Sequence, residues 1–274
     1  MEGAVSGGCV GGAVVVEAMA RVGTGAARLL EFGVSDEEAF AVGLACGGRI
    51  RVLVEPVGGA LPVAVLEELV AARAARRPVA YVADLDGDAR RLDGPDAFGE
   101  RFRMDRSGVE EDGRHFVHVH NPPLRLLIVG AVHIAQALVP MARIAGYDVR
   151  LVDPRPAFGA AARFPGLEIT EDWPDEALAR LGLDARTAVV TLTHDPKLDD
   201  PAITAALGSD VFYLGCLGST RTHAKRVARL RESGVGQDDI ARIHAPVGLD
   251  IGARGPAEIA VSVLAEVTQR LRRG

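Results

Sequence analysis

The residues best suited to chemistry are two cysteines set among glycines. Cys9 lies in Ser6-Gly-Gly-Cys9-Val-Gly-Gly12 and Cys46 in Ala45-Cys46-Gly-Gly48. A glycine frame leaves backbone N–H groups accessible, and such groups favour thiolate over thiol. Cys9 also stands at the threshold of an expected helix, whose N-terminal partial positive charge acts in the same direction. One such cysteine reads most simply as a buried structural thiol. Two of them in one domain shift the balance toward a functional pair, expected close together at a cleft between two domains. Cys216 lacks that setting and reads as a core residue.

A second group of residues gathers on loops. A strand runs into Gly130-Ala-Val-His133-Ile-Ala135, where a dinucleotide fingerprint would be G-x-G-x-x-G/A, and Asp153 ends the next strand about twenty residues on. Val132 stands where the second glycine normally lets the backbone approach a pyrophosphate, yet the helix start still offers free N–H groups to an anion. The plainer alternative is that Gly130 makes the turn and Asp153 caps a loop before Pro154. Thr193-His194-Asp195 and Gly215-Cys216-Leu217-Gly218-Ser219 follow later strands, and in an open α/β sheet these three loops converge at the carboxyl ends of the strands. Asp195 reads as a cap of the following turn rather than as the partner of His194. Gly218-Ser219-Thr220, leading into Arg221, places hydroxyls and a guanidinium at a helix start; this suits an anion, and equally suits ordinary N-capping. His115, His118 and His120 invite a metal reading, but in a strand only His118 and His120 share a face, with Phe116, and no carboxylate or thiol lies at ligand spacing.

The elements that must position these groups differ across Asn121-Pro122-Pro123, where two prolines stiffen the chain and mark a linker. Residues 1–120 read as a small α+β domain. It has a helix over Val10 to Arg21, extended chain over Ala27 to Gly33, a helix started by the capping box Ser35-Asp-Glu-Glu38, and a strand at Arg49 to Glu55. A helix from Val63 to Arg76 and strands at Val79 to Ala83 and His115 to His120 complete it. Asp84 to Arg114, dense in charge, reads as exposed, loop-rich chain that carries little core. Residues 124–274 read as a Rossmann-like doubly wound domain, with strands of continuous aliphatics at Leu124 to Gly130, Asp148 to Asp153, Ala188 to Thr193 and Val211 to Gly215, and a weaker one near Leu167 to Thr170. A helix follows each strand in turn, the most periodic being Ile134 to Ala145, Ala202 to Leu207, Thr222 to Arg231 and Pro256 to Arg272. The fold class is α/β.

Composition removes several functions. The chain has 274 residues, 48% of them hydrophobic, enough for a sizeable core. Its net charge of −6 and aromatic content of 4% disfavour nucleic acid as a partner. Only Lys197 and Lys225 are lysines among 31 basic residues, a bias that follows most simply from codon usage. Three scattered cysteines argue against a disulfide framework and for a reducing, cytoplasmic setting. No stretch approaches the about 18 apolar residues of a membrane span, and the first twenty residues lack a basic n-region.

Longer stretches carry a resemblance: Ser6-Gly-Gly-Cys9-Val, Phe32 through Gly48, Leu192-Thr-His-Asp195, Leu214-Gly-Cys-Leu-Gly-Ser219, and Ile243-His-Ala-Pro-Val-Gly-Leu-Asp-Ile-Gly-Ala-Arg254. They resemble the XdhC/CoxI family of xanthine dehydrogenase accessory factors over nearly the whole chain. The resemblance implies a chaperone more than a catalyst. Such a protein binds molybdenum cofactor, shelters it while a cysteine desulfurase supplies its terminal sulfide, and delivers it to an apo-molybdenum hydroxylase of xanthine dehydrogenase type. The expected cofactor-binding residues are then Cys9, Cys46, Gly130, His133, Asp153, Thr193, His194, Gly215, Gly218, Ser219 and Arg221, with the two cysteines nearest the molybdenum and a homodimer as a further partner class. The cargo's phosphate suits a helix N-terminus, its flat pterin a cleft, and its soft metal–sulfur centre a thiolate. Two features depart from the family: its members usually carry a further segment before the Ser-Gly-Gly-Cys motif, whereas Met1 stands five residues before Ser6 here, and Val132 replaces the second fingerprint glycine. The competing readings are an NAD(P)-dependent oxidoreductase and a nucleotide-sensing regulatory subunit. Val132, and the lack of a Tyr-x-x-x-Lys or similar base near the switch point, make NAD the disfavoured cofactor.

Overall fold

The structure is a computed structural model that describes residues 11–33, 49–155 and 161–273. Cys9, Cys46 and the helix expected from Ser35 lie outside them. The chain divides into two units, Met1–Pro122 and Pro123–Gly274.

In the first unit, helix α1 (Gly11–Arg21) precedes β1 (Arg28–Gly33), which pairs antiparallel with β2 (Arg49–Val54). Then come α2 (Val63–Ala74), β3 (Val79–Asp84), β4 (Arg90–Asp93), α3 (Pro95–Met104), β5 (Gly108–Val109) and β6 (His115–His120). The last four strands form an antiparallel sheet in the order β4-β3-β6-β5. Period-two alternation sends Ala80, Val82 and Val117 to one face, where Phe102 packs on them. The charged stretch Asp84 to Arg114 is therefore not loop-rich chain with little core. It holds two strands and α3, whose first turn takes Pro95; Phe102 is buried in that core, and Phe98, at a kink with φ −138°, packs against it. The stretch is tied at its ends as well: Arg114 grips the buried Asp84 carboxylate with Nε–Oδ1 2.8 Å and Nη2–Oδ2 2.6 Å.

The second unit contains β7 (Arg125–Val129), α4 (His133–Ile144), β8 (Asp148–Val152), β9 (Ile169–Thr170), α5 (Pro174–Leu181) and β10 (Thr187–Thr191). It continues with α6 (Pro196–Leu207), β11 (Tyr213–Cys216), α7 (Thr220–Glu232), α8 (Gln237–Ala241), β12 (Ile243–His244) and α9 (Pro256–Arg273). All six strands are parallel, in the order β12-β11-β10-β7-β8-β9. The chain moves outward from β7 through β8 to β9, returns to β10 and proceeds the other way, so a switch point lies between β7 and β10. Both faces are covered. Leu126 and Ile128 pack with Leu138 of α4 and Val263 and Val267 of α9, while Leu127 and Val129 face Leu178 of α5, Ile203 of α6 and Leu230 of α7. Helix α6 begins six residues before the expected Ala202, at Pro196, since proline is well accommodated in a first turn. Helix α5 is the helix expected after the weaker strand, with Ala177 and Leu178 on its buried side, whereas α8 and the two-residue edge strand β12 were not expected; each of these two is too short to show a period.

Candidate functional site

The expected loops all leave the carboxyl ends of the central strands, and the structure brings two of them into contact. Gly130 follows β7 with φ +113°, and a Cβ placed on it would stand 2.7 Å from Thr193 Cγ2 and 3.3 Å from Thr193 N. Only glycine fits both the backbone angle and the close approach of the loop after β10. Continued ladder bonds fix the loop bases: Leu192 N–H donates to Val129 O at 2.8 Å, and Leu217 N–H to Thr191 O at 2.8 Å.

Asp153, at the end of β8, is buried, and its oxygens are fully engaged. Ala131 N–H donates to Oδ2 at 2.8 Å, Arg155 N–H to Oδ1 at 3.0 Å, and the Arg155 guanidinium to Oδ1 and Oδ2 at 2.8 Å each. Burial pushes this carboxyl up, but Arg155 and the two backbone N–H groups outweigh it and hold the pKa below the ordinary range. In a dinucleotide enzyme an acid at this place would accept from a ribose hydroxyl. Here its acceptor positions are taken by the chain itself. Val132 is the N-cap of α4, with no side-chain cap, and packs against the core, while His133 opens the helix exposed to solvent.

Along the loop after β10, Asp195 caps α6 by accepting from Lys197 N–H at 3.0 Å. Thr193 turns inward: its hydroxyl donates to Asp199 Oδ1 at 2.6 Å and accepts from Asp195 N–H at 3.1 Å. His194, exposed and with φ +61°, is held in the left-handed region rarely taken by a non-glycine residue. Beyond β11, Gly218 has φ +141° and lies against Thr222, and Ser219 caps α7 by accepting from Thr222 N–H at 3.2 Å. Gly215 sits inside β11, where a Cβ would strike Val247 Cγ2 at 2.5 Å and the Tyr213 ring, so its place answers a packing need within the sheet. Cys216, the last residue of β11, is buried in the core, and burial pushes its thiol up to about 11, against the pull of Arg226.

Arg221 and His194 line one cavity of about 250 Å³, together with Asp199, Lys225 and Arg226. Asp199, Arg155 and Arg226 escaped sequence reasoning. Asp199 is one acid in Lys197-Leu-Asp-Asp200 and Arg226 one of five basic residues in α7, so neither burial nor partner is legible in the order of residues. The only available signal was the i,i+4 step from Thr222 to Arg226 on the buried side of an otherwise exposed helix. The neighbouring pair His118 and His120, with ring centroids 4.1 Å apart and planes tilted by 47°, lies in the other unit. Among the described residues no group of three or more His, Cys, Asp or Glu is arranged to hold a metal ion, and no helix is long and apolar enough to cross a membrane.

A parallel sheet wound in both directions from a central strand, with an inward-turned polar corner at the strand ends, defines a Rossmann-type domain. Residues 126–267 match the sequence profile of the XdhC Rossmann domain. The chain is 34% identical over 266 residues to the molybdenum cofactor insertion chaperone PaoD of Escherichia coli, covering 97% of this chain and 73% of that protein. It therefore belongs to the XdhC family. It is also 33% identical over 159 residues to a probable xanthine dehydrogenase subunit from Bacillus subtilis, covering 58% of this chain and 46% of that protein. A crystal structure described as a xanthine dehydrogenase from Bacillus halodurans superimposes with a TM-score of 0.63 at 26% identity, covering 99% of this chain and 83% of that one.

Proposed function

We propose that this chain binds molybdenum cofactor as cargo, protects it while its terminal sulfide is installed by a cysteine desulfurase, and inserts it into an apo-molybdenum hydroxylase of xanthine dehydrogenase type. The observation that carries this reading is the similarity, over 97% of the chain, to a protein named as a molybdenum cofactor insertion chaperone. The site chemistry supports it by subtraction, because the acid that would hold a ribose is saturated by Arg155 and Ala131, which counts against NAD and against dehydrogenase turnover. In this reading Cys9 and Cys46 offer thiolates to the metal–sulfur centre. Gly130, His133 and Asp153 shape the first loop, Thr193 and His194 the second, and Gly215, Gly218, Ser219 and Arg221 the third, where Arg221 meets the cargo's anionic group. We place the chain in the cytoplasm with its proposed partners, a compartment that keeps thiols reduced.

The test is transfer. Protein loaded with sulfurated molybdenum cofactor is mixed with an apo-hydroxylase, and recovery of xanthine oxidation is followed against free cofactor at the same concentration. Faster or more complete recovery is expected. Recovery no better than with free cofactor, or micromolar NAD binding by calorimetry with substrate-dependent reduction, overturns the reading.

A further inference from the structure

We propose that the cavity between α6 and α7 is a phosphate-binding subsite whose wall is completed by the buried guanidinium of Arg226, one strand away from the switch point. Its position follows from the strand order: α6 and α7 succeed β10 and β11, which are adjacent, and the cavity of about 250 Å³ opens between the two helix starts.

Arg226 is 1% exposed. Its Nη2 donates to Leu217 O at 3.0 Å and stands 3.7 Å from Asp199 Oδ2, while Nε and Nη1 have no hydrogen-bond partner among the described residues. Leaving a buried donor unbonded is costly, the more so when the group is charged. A cavity wall carrying two such donors calls for an acceptor that comes from outside the chain. Around it the cations are unequal. Arg229 is neutralised by Asp200, through Nε–Oδ2 at 2.6 Å and Nη2–Oδ1 at 2.9 Å. Arg221 and Lys225, one helical turn apart on α7, make no ion pair among the described residues and remain available at the rim. The start of α7, capped by Ser219, adds its partial positive charge.

Among the described residues that line the cavity Asp199 is the one acid, and its Oδ2, 3.7 Å from Arg226 Nη2, is itself buried without a hydrogen-bond partner. Its Oδ1 is fixed by the Thr193 hydroxyl at 2.6 Å, and burial pushes its carboxyl above the ordinary range, against Thr193 and Arg226, which weakens its repulsion of an anion. A tetrahedral oxyanion bearing more than one charge suits this set, since guanidinium forks and an ammonium recognise phosphate oxygens. The inference rests on the cargo reading for the molecule that bears the phosphate, and on the geometry alone for the site.

The probes are inorganic phosphate and pyrophosphate, titrated calorimetrically into the full chain. Saturable one-to-one binding is expected, weakened at least tenfold in Arg221→Ala/Lys225→Ala and unchanged in Arg150→Ala/Arg254→Ala, which removes two exposed cations elsewhere. Arg226→Met keeps the side chain's bulk and should abolish binding. Should that variant fail to fold, the rim pair still decides. Absence of saturation, or equal weakening in both double variants, refutes the subsite. So does a folded Arg226→Met protein that binds like the parent, since an internal water would then be the missing partner. Retention of molybdenum cofactor by the rim variant, with pyrophosphate binding lost, refutes the assignment to the cargo and leaves the chaperone reading intact. Pyrophosphate binding in a parent protein that retains no cofactor refutes the chaperone reading and leaves the subsite.

Discussion

Gly130→Ala tests whether the turn after β7 is held by the close approach of the two central loops. The backbone there has φ +113°, outside the regions open to an L-residue, and holding alanine in such a conformation costs about 1–3 kcal/mol. The new Cβ would lie 2.7 Å from Thr193 Cγ2 and 3.3 Å from Thr193 N, and forcing a methyl into such a contact adds about 1–2 kcal/mol, at the lower end for overpacking. The expected loss is about 2–5 kcal/mol. The chain's single tryptophan, Trp173, lies in the second unit and gives a fluorescence signal for urea unfolding of that unit. With a slope of about 2 kcal/mol/M, the midpoint should fall by about 1–2.5 M. Thr193→Ser removes Cγ2 but keeps the hydroxyl that bonds Asp199, so in the Gly130→Ala background it should recover about 1 kcal/mol of the loss, and the backbone part should persist. A midpoint shift below about 0.25 M in the single variant would refute the argument, as would a double variant no more stable than the single one.

Three further outcomes follow from the same geometry. Arg155→Ala leaves the buried Asp153 carboxylate with backbone donors only; the second unit should lose about 1.5–3 kcal/mol in the same urea assay, and a loss under about 0.5 kcal/mol would show that the pair is idle. His120 is lowered to about 4 by burial, by His118 and by Arg73, so its contribution to stability is complete above the unfolded value of about 6.5 and is lost as pH falls toward 4. Amide exchange in β3 and β6 should quicken over that window relative to His120→Gln, and an NMR titration of His120 centred near 6.5 would contradict the cause given. Cys9→Ser and Cys46→Ser should each abolish cofactor retention with little change in thermal stability, whereas Cys216→Ser, deep in the core with its thiol pushed up to about 11, should spare retention; retention equal to the parent in both glycine-framed variants would place the site wholly in the Rossmann loops.

What the order of residues revealed, and what it hid, divides along the range of the forces involved. The aliphatic strands of the second unit were legible because Leu126 to Val129 are buried on both faces, which leaves a continuous apolar run and no alternative element of that length. Helix α3 was hidden because its core contacts are two phenylalanines among charges, and β12 because two residues carry no period. At the site, Gly130, Asp195 and Ser219 were legible as turn and cap residues, whose roles are set by their own backbone. Asp153 was legible in position but not in partner, since the guanidinium of Arg155 could equally have pointed to solvent. Arg226 and Asp199 were illegible: burying a charge is decided by how two helices pack, and no local rule anticipates it.

The central claim is that the chain holds molybdenum cofactor. It is tested most directly by incubating the purified full chain with molybdenum cofactor, separating free cofactor by gel filtration, and measuring pterin fluorescence after acid oxidation of the protein fraction. The account predicts pterin co-eluting with the protein in a saturable, stoichiometric amount. Pterin eluting wholly with the small-molecule fraction, from protein whose Trp173 unfolding transition shows it to be folded, would contradict it.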